Sequence, residues 1–336
     1  EEKRVLNRIK DYGGVIRFIS NIPEENVYER YNFDHAKYLI IDNKTLIVES
    51  CNWVKTGIPK NSYYGNREWG VVVRNRSVAK CFLNVFLDDF DPVRCDSLSI
   101  EDINTSLPEK FYKYESYQRY GYKSYFEPFN VNGSFTILPV FSPDNSLDAV
   151  LDMIDSAKTS IFVQQLYIYL DWDEGLNPLV QKLVEKAKQG IDVKIILNYN
   201  PFYDSTNVKS NLTKDYLQKN GVEVKFLYTN WSYFTNVHNK GVVVDNKSVL
   251  ISSINWNENS FTKNREAGII VENESIARYY SDVFFYDWSL SNPIEEPVEE
   301  SLEENSFDYK NTFYVGVIYT LTFAIVIRDW RKRKWY

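Results

Sequence analysis

The 336 residues of the chain are 44% hydrophobic and 16% aromatic, which is enough for two ordinary domains and excludes a disordered or fibrous protein. The formal net charge of −7 provides no overall positive field that would draw the chain onto nucleic acid. Three cysteines form neither a disulfide framework nor a paired set of zinc ligands.

Residues 1–98 are predicted to form an incomplete α/β unit. A charged helix and one strand precede an apolar hairpin, in which the runs on both sides of residues 42–45 place Asn43 and Lys44 at the turn. Another strand follows Glu68. Residues 99–134 are rich in tyrosine and are predicted to be a connector, whose rings either pack over the joint between the units or stack on a base or lipid.

Residues 135–290 are predicted to form a complete α/β unit, because strands and helices alternate along them. Strands are expected at 135–140, 160–170 and 193–198. Helices are expected at 146–157, 178–189 and 209–219, and a second apolar hairpin follows them. This order predicts a mixed or parallel sheet.

Beyond residue 290 the composition changes abruptly. Residues 291–309 are acidic and contain two prolines, which indicates a solvated stalk. Residues 310–328 contain 17 consecutive uncharged residues, and 329–336 form a basic tail. A helix of that length spans roughly 25 Å, a little less than a bilayer core. We therefore expect a single C-terminal membrane anchor with the body outside the cytoplasm, the alternative being a buried terminal helix or strand.

The chain contains an internal duplication. Residues 35–53 recur as 238–256 at an offset of 203, and residues 66–73 recur as 264–271 at an offset of 198. Only the last helix and strand of the second copy's lead-in have counterparts before His35, so the first copy is shorter by about 70 residues.

Each hairpin carries polar residues in a repeated pattern. With a two-residue turn, the expected cross-strand pairs are Lys37 with Ser50, His35 with Asn52, Lys240 with Ser253, and His238 with Asn255. Such a face combines an ammonium, a hydroxyl and an amide, all able to hold phosphate oxygens, with an imidazole beside them. Polar groups on an otherwise apolar hairpin are costly unless they bind something, so Ser50, Asn52, Ser253 and Asn255 are candidate phosphate ligands.

The acidic residues of the repeats have other expected tasks. Asp42 and Asp245 lie at the turns and are expected to hold the turn or a backbone amide. Glu68 and Glu266 open the next strand, and each is expected to bind the second ring nitrogen of the histidine in its own repeat. His35, Lys37, His238 and Lys240, together with these two glutamates, are the candidate catalytic residues.

The paired strings resemble the phospholipase D superfamily, whose mark is two H-x-K-x4-D-x6-G-S-x-N motifs, and the resemblance covers residues 1–290. It implies two α/β/α sandwich domains related by a pseudo-twofold axis, the first truncated at its N-terminus, which share one site. One histidine would form a phosphohistidine and the other would protonate the leaving oxygen, with no metal or cofactor. Either histidine is chemically competent in either role, and the resemblance favours His35 as the nucleophile and His238 as the acid. Glu49 and Ser252 replace the superfamily's glycine and are predicted to point to the far face, opposite Tyr38 and Gly241.

Three functions compete at this stage. A phosphodiesterase or phosphatidyltransferase acting on phospholipid, attached to the membrane by the C-terminal helix, fits the tail and the acidic body. An exported or membrane-tethered nuclease acting on single-stranded DNA or RNA would need aromatic grooves, hinted at by the connector and by Trp231, Tyr233 and Phe234. A non-catalytic phosphate-binding scaffold is disfavoured, because the polar residues are intact in both copies. The oligomeric state stays open.

Overall fold

The computed structural model describes residues 2–59, 65–99, 126–228 and 234–291. Its strands, numbered in chain order, are β1 (Arg17–Ile19), β2 (Tyr38–Ile41), β3 (Thr45–Glu49), β4 (Gly70–Arg74), β5 (Ser97–Ser99), β6 (Thr136–Ser142), β7 (Ser160–Gln165), β8 (Asp171–Trp172), β9 (Gly175–Leu176), β10 (Asp192–Asn198), β11 (Glu223–Leu227), β12 (Lys240–Val244), β13 (Ser248–Ser252) and β14 (Glu266–Glu272). The helices are α1 (Glu2–Asp11), α2 (Arg76–Phe90), α3 (Ser146–Asp155), α4 (Pro178–Lys188), α5 (Asp204–Lys219), α6 (Glu258–Thr262) and α7 (Glu274–Leu290).

The second half is built on a seven-stranded mixed sheet with the order β11-β10-β7-β12-β13-β14-β6. The strands β11, β10 and β7 are parallel, and the remaining pairs are antiparallel. Every residue of β7 and β12 is buried, as expected of strands covered on both faces by helices. The α/β class and the mixed sheet are therefore as predicted from the sequence.

Two element boundaries differ from the prediction by five residues, and the others differ by at most two. The strand expected at 160–170 ends at Gln165, because the chain then leaves the sheet and pairs instead with the segment after β13: Ile168 forms a bridge with Trp256, and the Tyr169 N–H donates to the Trp256 carbonyl at 3.0 Å. The helix expected at 209–219 begins at Asp204. The polar stretch between those two starts carries no apolar periodicity that could have indicated a helix.

The first half is the shorter version of the same plan. Its sheet has three strands in the order β2-β3-β4, and β1 pairs separately with β5. In the second half β12 pairs with β7, whereas among the described residues no strand pairs with the outer edge of β2. In the described residues, the sheet of the first half therefore has three strands against seven in the second half.

The predicted strand register of both hairpins is wrong by one residue. Asp42 and Asn43 both have positive φ angles, 52° and 50°, and the loop contains three residues rather than two. The observed pairs are Tyr38 with Val48 and, in the second copy, Lys240 with Ser252. A shift of one residue exchanges the faces of a strand, so the predicted face of four polar residues does not form as drawn.

The shift also changes the position of the two residues that replace glycine. The Glu49 N–H donates to the Lys37 carbonyl at 3.1 Å, and Ser252 lies opposite Lys240. Glu49 and Ser252 therefore lie opposite the lysines, and not opposite Tyr38 and Gly241 as predicted.

The two halves share a hydrophobic core. Leu46, Val48 and Phe82 of the first half belong to the same buried cluster as Ile251 and Ile269 of the second half. The closest approach is at Gly241, where a Cβ atom would lie 2.2 Å from the Trp69 ring. Trp69 thus occupies the space that any side chain at position 241 would need, and the two copies pack directly against each other.

Several predictions concern residues outside the described ranges. These are most of the tyrosine-rich connector (100–125), Trp231 and Tyr233, and nearly all of the stalk, anchor and tail (292–336). Within the described ranges, no helix combines the length and the hydropathy needed to cross a bilayer.

Candidate active site

The glutamates and histidines of the two repeats pair crosswise. His35 Nδ1 lies 2.8 Å from Glu266 Oε2, and His238 Nδ1 lies 2.7 Å from Glu68 Oε1. The prediction that each glutamate serves the histidine of its own repeat is therefore wrong. The prediction that each binds a ring nitrogen of a histidine is correct, and it is the exchange between repeats that joins the two halves into one site.

Backbone hydrogen bonds make the same exchange. The His35 N–H donates to the Arg265 carbonyl at 2.8 Å, and the His238 N–H donates to the Arg67 carbonyl at 3.0 Å. Each arginine directly precedes the glutamate that binds the same histidine. The main chain thus holds each glutamate next to the histidine of the other copy.

Each glutamate is also bound to a serine of its own repeat. Ser50 Oγ donates to Glu68 at 2.6 Å, and Ser253 Oγ donates to Glu266 at 2.5 Å. Both serines are fully buried, and both lie one residue beyond β3 or β13 because of the register shift. These hydroxyl protons orient carboxylates here, and the phosphate contact expected of the two serines stays a prediction.

The lysines lie in the same buried region. Lys37 Nζ donates to the His35 carbonyl at 2.6 Å. Lys240 is fully buried; its Nζ donates to the His238 carbonyl and lies 3.2 Å from His238 Nδ1. Burial lowers the pKa of Lys37 to about 8 and that of Lys240 to about 7, although Glu68 and Glu266 act to raise both. Because the ammonium groups of both lysines have limited access to water, a bound anion would stabilise their charged forms.

The electrostatics of His238 combine opposing influences. Burial and then the Lys240 charge lower its pKa, the Glu68 carboxylate raises it, and the Lys37 charge lowers it again, with a net decrease. Burial tends to raise the pKa of Glu68, but the hydrogen bond and charge of His238 and the charge of Lys240 outweigh it and leave it lowered. Lys37 belongs to the other repeat, so the charged groups of both copies act on one another.

The turn aspartates differ between the copies. Asp245 accepts the backbone N–H groups of Lys158, Thr159 and Ser160 at 2.8 to 2.9 Å, as predicted for a residue that holds backbone amides. Partial burial opposes these bonds, but they outweigh it and lower the pKa of Asp245. Asp42, in contrast, is exposed at its turn.

The two motif asparagines also differ. Asn52 is exposed, whereas Asn255 is 8% exposed, and its Oδ1 has no hydrogen-bond partner among the described residues. Asn255 lines a cavity of about 430 Å³ that opens beside His35 and Glu266. The other lining residues are Asn32, Phe33, Tyr167, Tyr169, Asn257, Asn259, Ser260 and Asn264.

The sequence analysis did not identify this cavity. Tyr167 and Tyr169 stack on each other with ring centroids 4.7 Å apart, and the Asn257 amide donates to the Tyr167 hydroxyl at 3.0 Å. The available signal was the alternating Tyr167-Ile168-Tyr169 segment after β7, which was assigned to the strand. Apart from the His35–Glu266 pair, every lining residue is uncharged.

The duplicated α/β halves and the paired histidines and lysines define a protein of the phospholipase D superfamily. The chain belongs to the family described as "Cardiolipin synthase, PLD-like domain", whose model matches residues 3–90 and 150–288.

Similar proteins agree with this assignment. A cardiolipin synthase of Clostridium perfringens is 24% identical over 90% of this chain and 59% of its own length. Cardiolipin synthase 2 of Staphylococcus epidermidis is 26% identical over 87% of this chain and 55% of its own length. The chain thus spans somewhat more than half the length of these relatives. The crystal structure of phosphatidylserine synthase from Haemophilus influenzae has the same fold, with a TM-score of 0.51 and 13% identity over 76% of this chain and 61% of that one.

Proposed function

We propose that this chain is a phosphatidyltransferase, which moves the phosphatidyl group of a phospholipid from one hydroxyl compound to another through a phosphohistidine. The observation that carries the proposal is the crossed pairing of His35 with Glu266 and of His238 with Glu68. Cardiolipin synthases are among its relatives, and cardiolipin contains two phosphatidyl groups on one glycerol, which is the product expected of such a transfer.

The first half-reaction uses both histidines. Because His35 Nδ1 donates to Glu266, the Nε2 lone pair of His35 is free to attack phosphorus. The bond from phosphorus to the leaving oxygen breaks, and that oxygen takes a proton from His238. His238 can serve as the acid because the Glu68 carboxylate, 2.7 Å from its Nδ1, supports the protonated ring.

The second half-reaction reverses the proton transfer. The neutral His238 accepts the proton of the incoming hydroxyl, whose oxygen attacks phosphorus. The bond from phosphorus to His35 Nε2 then breaks, and both histidines return to their initial states. Water in place of the alcohol would give hydrolysis, so the acceptor subsite decides between transfer and cleavage.

The two lysines stabilise the negative charge that develops in both steps. A phosphodiester is an anion, and its transition state concentrates charge on the nonbridging oxygens. Lys240 is fully buried and Lys37 is half-buried, so an electrostatic contact with either ammonium group is stronger than in water. Asn255 and Asn52 remain the candidate amide donors to these oxygens.

The cavity beside His35 favours an uncharged hydroxyl compound as the partner. Its lining offers amides and hydroxyls for hydrogen bonds, with a free Oδ1 on Asn255. Among the described residues, its lining contains neither a lysine nor an arginine for the adjacent phosphates of a nucleic acid strand, which such strands require for binding. A polyol head group fits this chemistry better than a polynucleotide does. The predicted C-terminal anchor would hold the body near its lipid substrate.

The proposal is tested by supplying both substrate classes to the purified chain. With vesicles of phosphatidylglycerol we expect a lipid carrying two phosphatidyl groups and one free glycerol per turnover, and with single-stranded DNA we expect no cleavage. His35→Gln and His238→Gln should each abolish the transfer. Faster cleavage of DNA than of lipid would refute this proposal and support the nuclease hypothesis.

The acceptor subsite has a matched control in the other repeat. Asn255→Ala should raise the KM for a polyol acceptor, whereas Asn52→Ala should leave that KM unchanged, because Asn52 lies outside the cavity. For the intermediate, His238→Gln with an aryl phosphodiester should leave a phosphorylated peptide that contains His35. A label on His238 in the corresponding His35→Gln variant would exchange the two roles.

A further inference from the structure

A second pair of charged groups crosses between the repeats, outside the reacting groups. Arg67 Nε and Nη2 each lie 2.9 Å from one carboxylate oxygen of Asp287, which forms a two-pronged contact. Asp287 is fully buried near the end of α7 and also accepts the Gln164 amide at 2.8 Å. Arg67 belongs to the first repeat and α7 to the second.

The mirror contact occurs on the other side of the pseudo-twofold axis. Arg265 Nε lies 2.9 Å from Asp89 Oδ2, and Arg265 Nη2 donates to Asp89 Oδ1 at 3.1 Å. The Nε contact is an ion pair without the alignment of a hydrogen bond. Asp89 lies near the end of α2, and its separation from Asp287, 287 − 89 = 198, equals that of the two arginines, 265 − 67.

Each arginine is in a position to fix the glutamate that follows it. The carbonyl of each arginine accepts the backbone N–H of the other repeat's histidine. Its side chain pairs with an aspartate on a helix of the other repeat. The residue after it is the glutamate that binds that same histidine. The backbone of residues 67–68 is thus held at two points on the second repeat, and that of residues 265–266 at two points on the first.

We infer that Arg67–Asp287 and Arg265–Asp89 are positioning pairs, each of which aligns the carboxylate that orients the other repeat's histidine. The inference rests on the proposed function in that these two histidines carry the reaction. Stability alone is a weak reason for such pairs, because burying an ion pair offers little net gain over apolar packing. Their placement next to the site in both repeats is what points to positioning.

The test follows His238 directly by NMR. The chain has only two histidines, so labelling them with nitrogen-15 gives two sets of ring signals, which His238→Gln assigns. The charged groups that act on His238 are Glu68, Lys240 and Lys37. When Asp287→Asn releases Arg67, we expect Glu68 to lose its alignment. The His238 Nδ1–H signal should lose the downfield shift of a carboxylate hydrogen bond, and the ring should titrate at lower pH, because the group that raises its pKa has moved.

The mirror variant is the matched control. Asp89→Asn should alter the His35 Nδ1–H signal and leave that of His238 in place, because Arg265 precedes Glu266 and not Glu68. The change should be smaller than that caused by Asp287→Asn, because Arg265 keeps its contacts with Asp144 and with the Ser142 carbonyl. Asp155→Asn removes the partner of the buried Lys186 on the remote α3–α4 side and should leave both signals unchanged. If Asp287→Asn unfolds the chain, Arg67→Lys keeps the charge but not the two-pronged contact, and the same signal should weaken.

The outcomes separate this inference from the proposed function. A folded Asp287→Asn variant, or a folded Arg67→Lys variant, whose His238 signals match those of the wild type would overturn the inference, whatever the chain catalyses. If the signals change but no phosphodiester is processed, the proposed function fails and the positioning inference stands. Where both hold, Asp287→Asn should lower kcat by about 10- to 100-fold with little change in KM, and Asp155→Asn should leave kcat unchanged.

Discussion

Replacing Glu266 by Gln measures the contribution of one crossed contact to the reaction. The Glu266 carboxylate is fully buried and accepts both His35 Nδ1 at 2.8 Å and Ser253 Oγ at 2.5 Å. Gln keeps the shape of the side chain but carries no charge and has one oxygen for two donors. The His35 ring becomes positively charged when Nε2 attacks phosphorus, so the missing carboxylate affects the transition state more than the resting protein.

The size of the effect follows from that hydrogen bond. A hydrogen bond to a charged partner contributes about 1.5 to 3 kcal/mol. Loss of about 2 to 3 kcal/mol from the transition state corresponds to a rate reduced by about 30- to 160-fold. Folding should suffer less, because Gln still packs in the same space and can accept from one of the two donors.

The assay separates the two glutamates by the leaving group of the substrate. An aryl group such as p-nitrophenolate leaves without a proton, whereas an alkyl group needs one from His238. Glu266→Gln should slow the first release of product with both substrates, and the mirror variant Glu68→Gln should slow it mainly with the alkyl substrate. If each glutamate served the histidine of its own repeat, the two variants would exchange behaviours. With His35 identified as the nucleophile by the labelling experiment, that result would refute the crossed arrangement.

Three further perturbations follow from the structure. The pKa of Lys240 is lowered to about 7 from an ordinary 10.5, so between these two pH values the unfolded chain holds a proton that the folded chain has released. The free energy of unfolding should therefore rise with pH from about 7 to 10.5. Urea titrations should show a smaller rise in Lys240→Met than in the wild type. Gly241→Ala should reduce the free energy of unfolding by about 1 to 3 kcal/mol, because the added Cβ would meet the Trp69 ring. Gly70→Ala, whose added Cβ would have no neighbour nearer than 3.5 Å, should be nearly neutral. Equal urea midpoints for the two variants would contradict the close packing at Gly241. Deleting everything after Leu290 should leave the rate on a small soluble phosphodiester unchanged and lower it on vesicles, and equal membrane association with and without the tail in a flotation assay would argue against the anchor.

The sequence was sufficient to predict the duplication and the residues that meet in the site. The strings that begin at His35 and His238 repeat at a fixed offset, and this repetition is what predicts the duplication. The strand register could not be predicted, because it depends on whether Asp42 and Asn43 adopt positive φ angles. Both residue types tolerate such angles, but neither requires them.

The crossing of the glutamates was also beyond reach, for a different reason. In a duplicated chain each histidine has two equivalent glutamates, one in each copy, and local pattern does not distinguish them. The buried ion pairs did leave a signal, since Asp89 and Asp287 share the offset of 198 with the repeated arginines. Extending the alignment of the two copies through the helices would have identified them before the structure.

The exchange of Glu68 and Glu266 has a consequence for how the two copies can change over time. A substitution of either glutamate removes the ring contact of a histidine about 170 to 230 residues away along the chain, in the copy that was not substituted. Neither copy can drift into a separate role while the other keeps the chemistry, as duplicated segments otherwise tend to do. Selection on one copy is therefore selection on both, and this accounts for the presence of a histidine, a lysine and a glutamate in each copy.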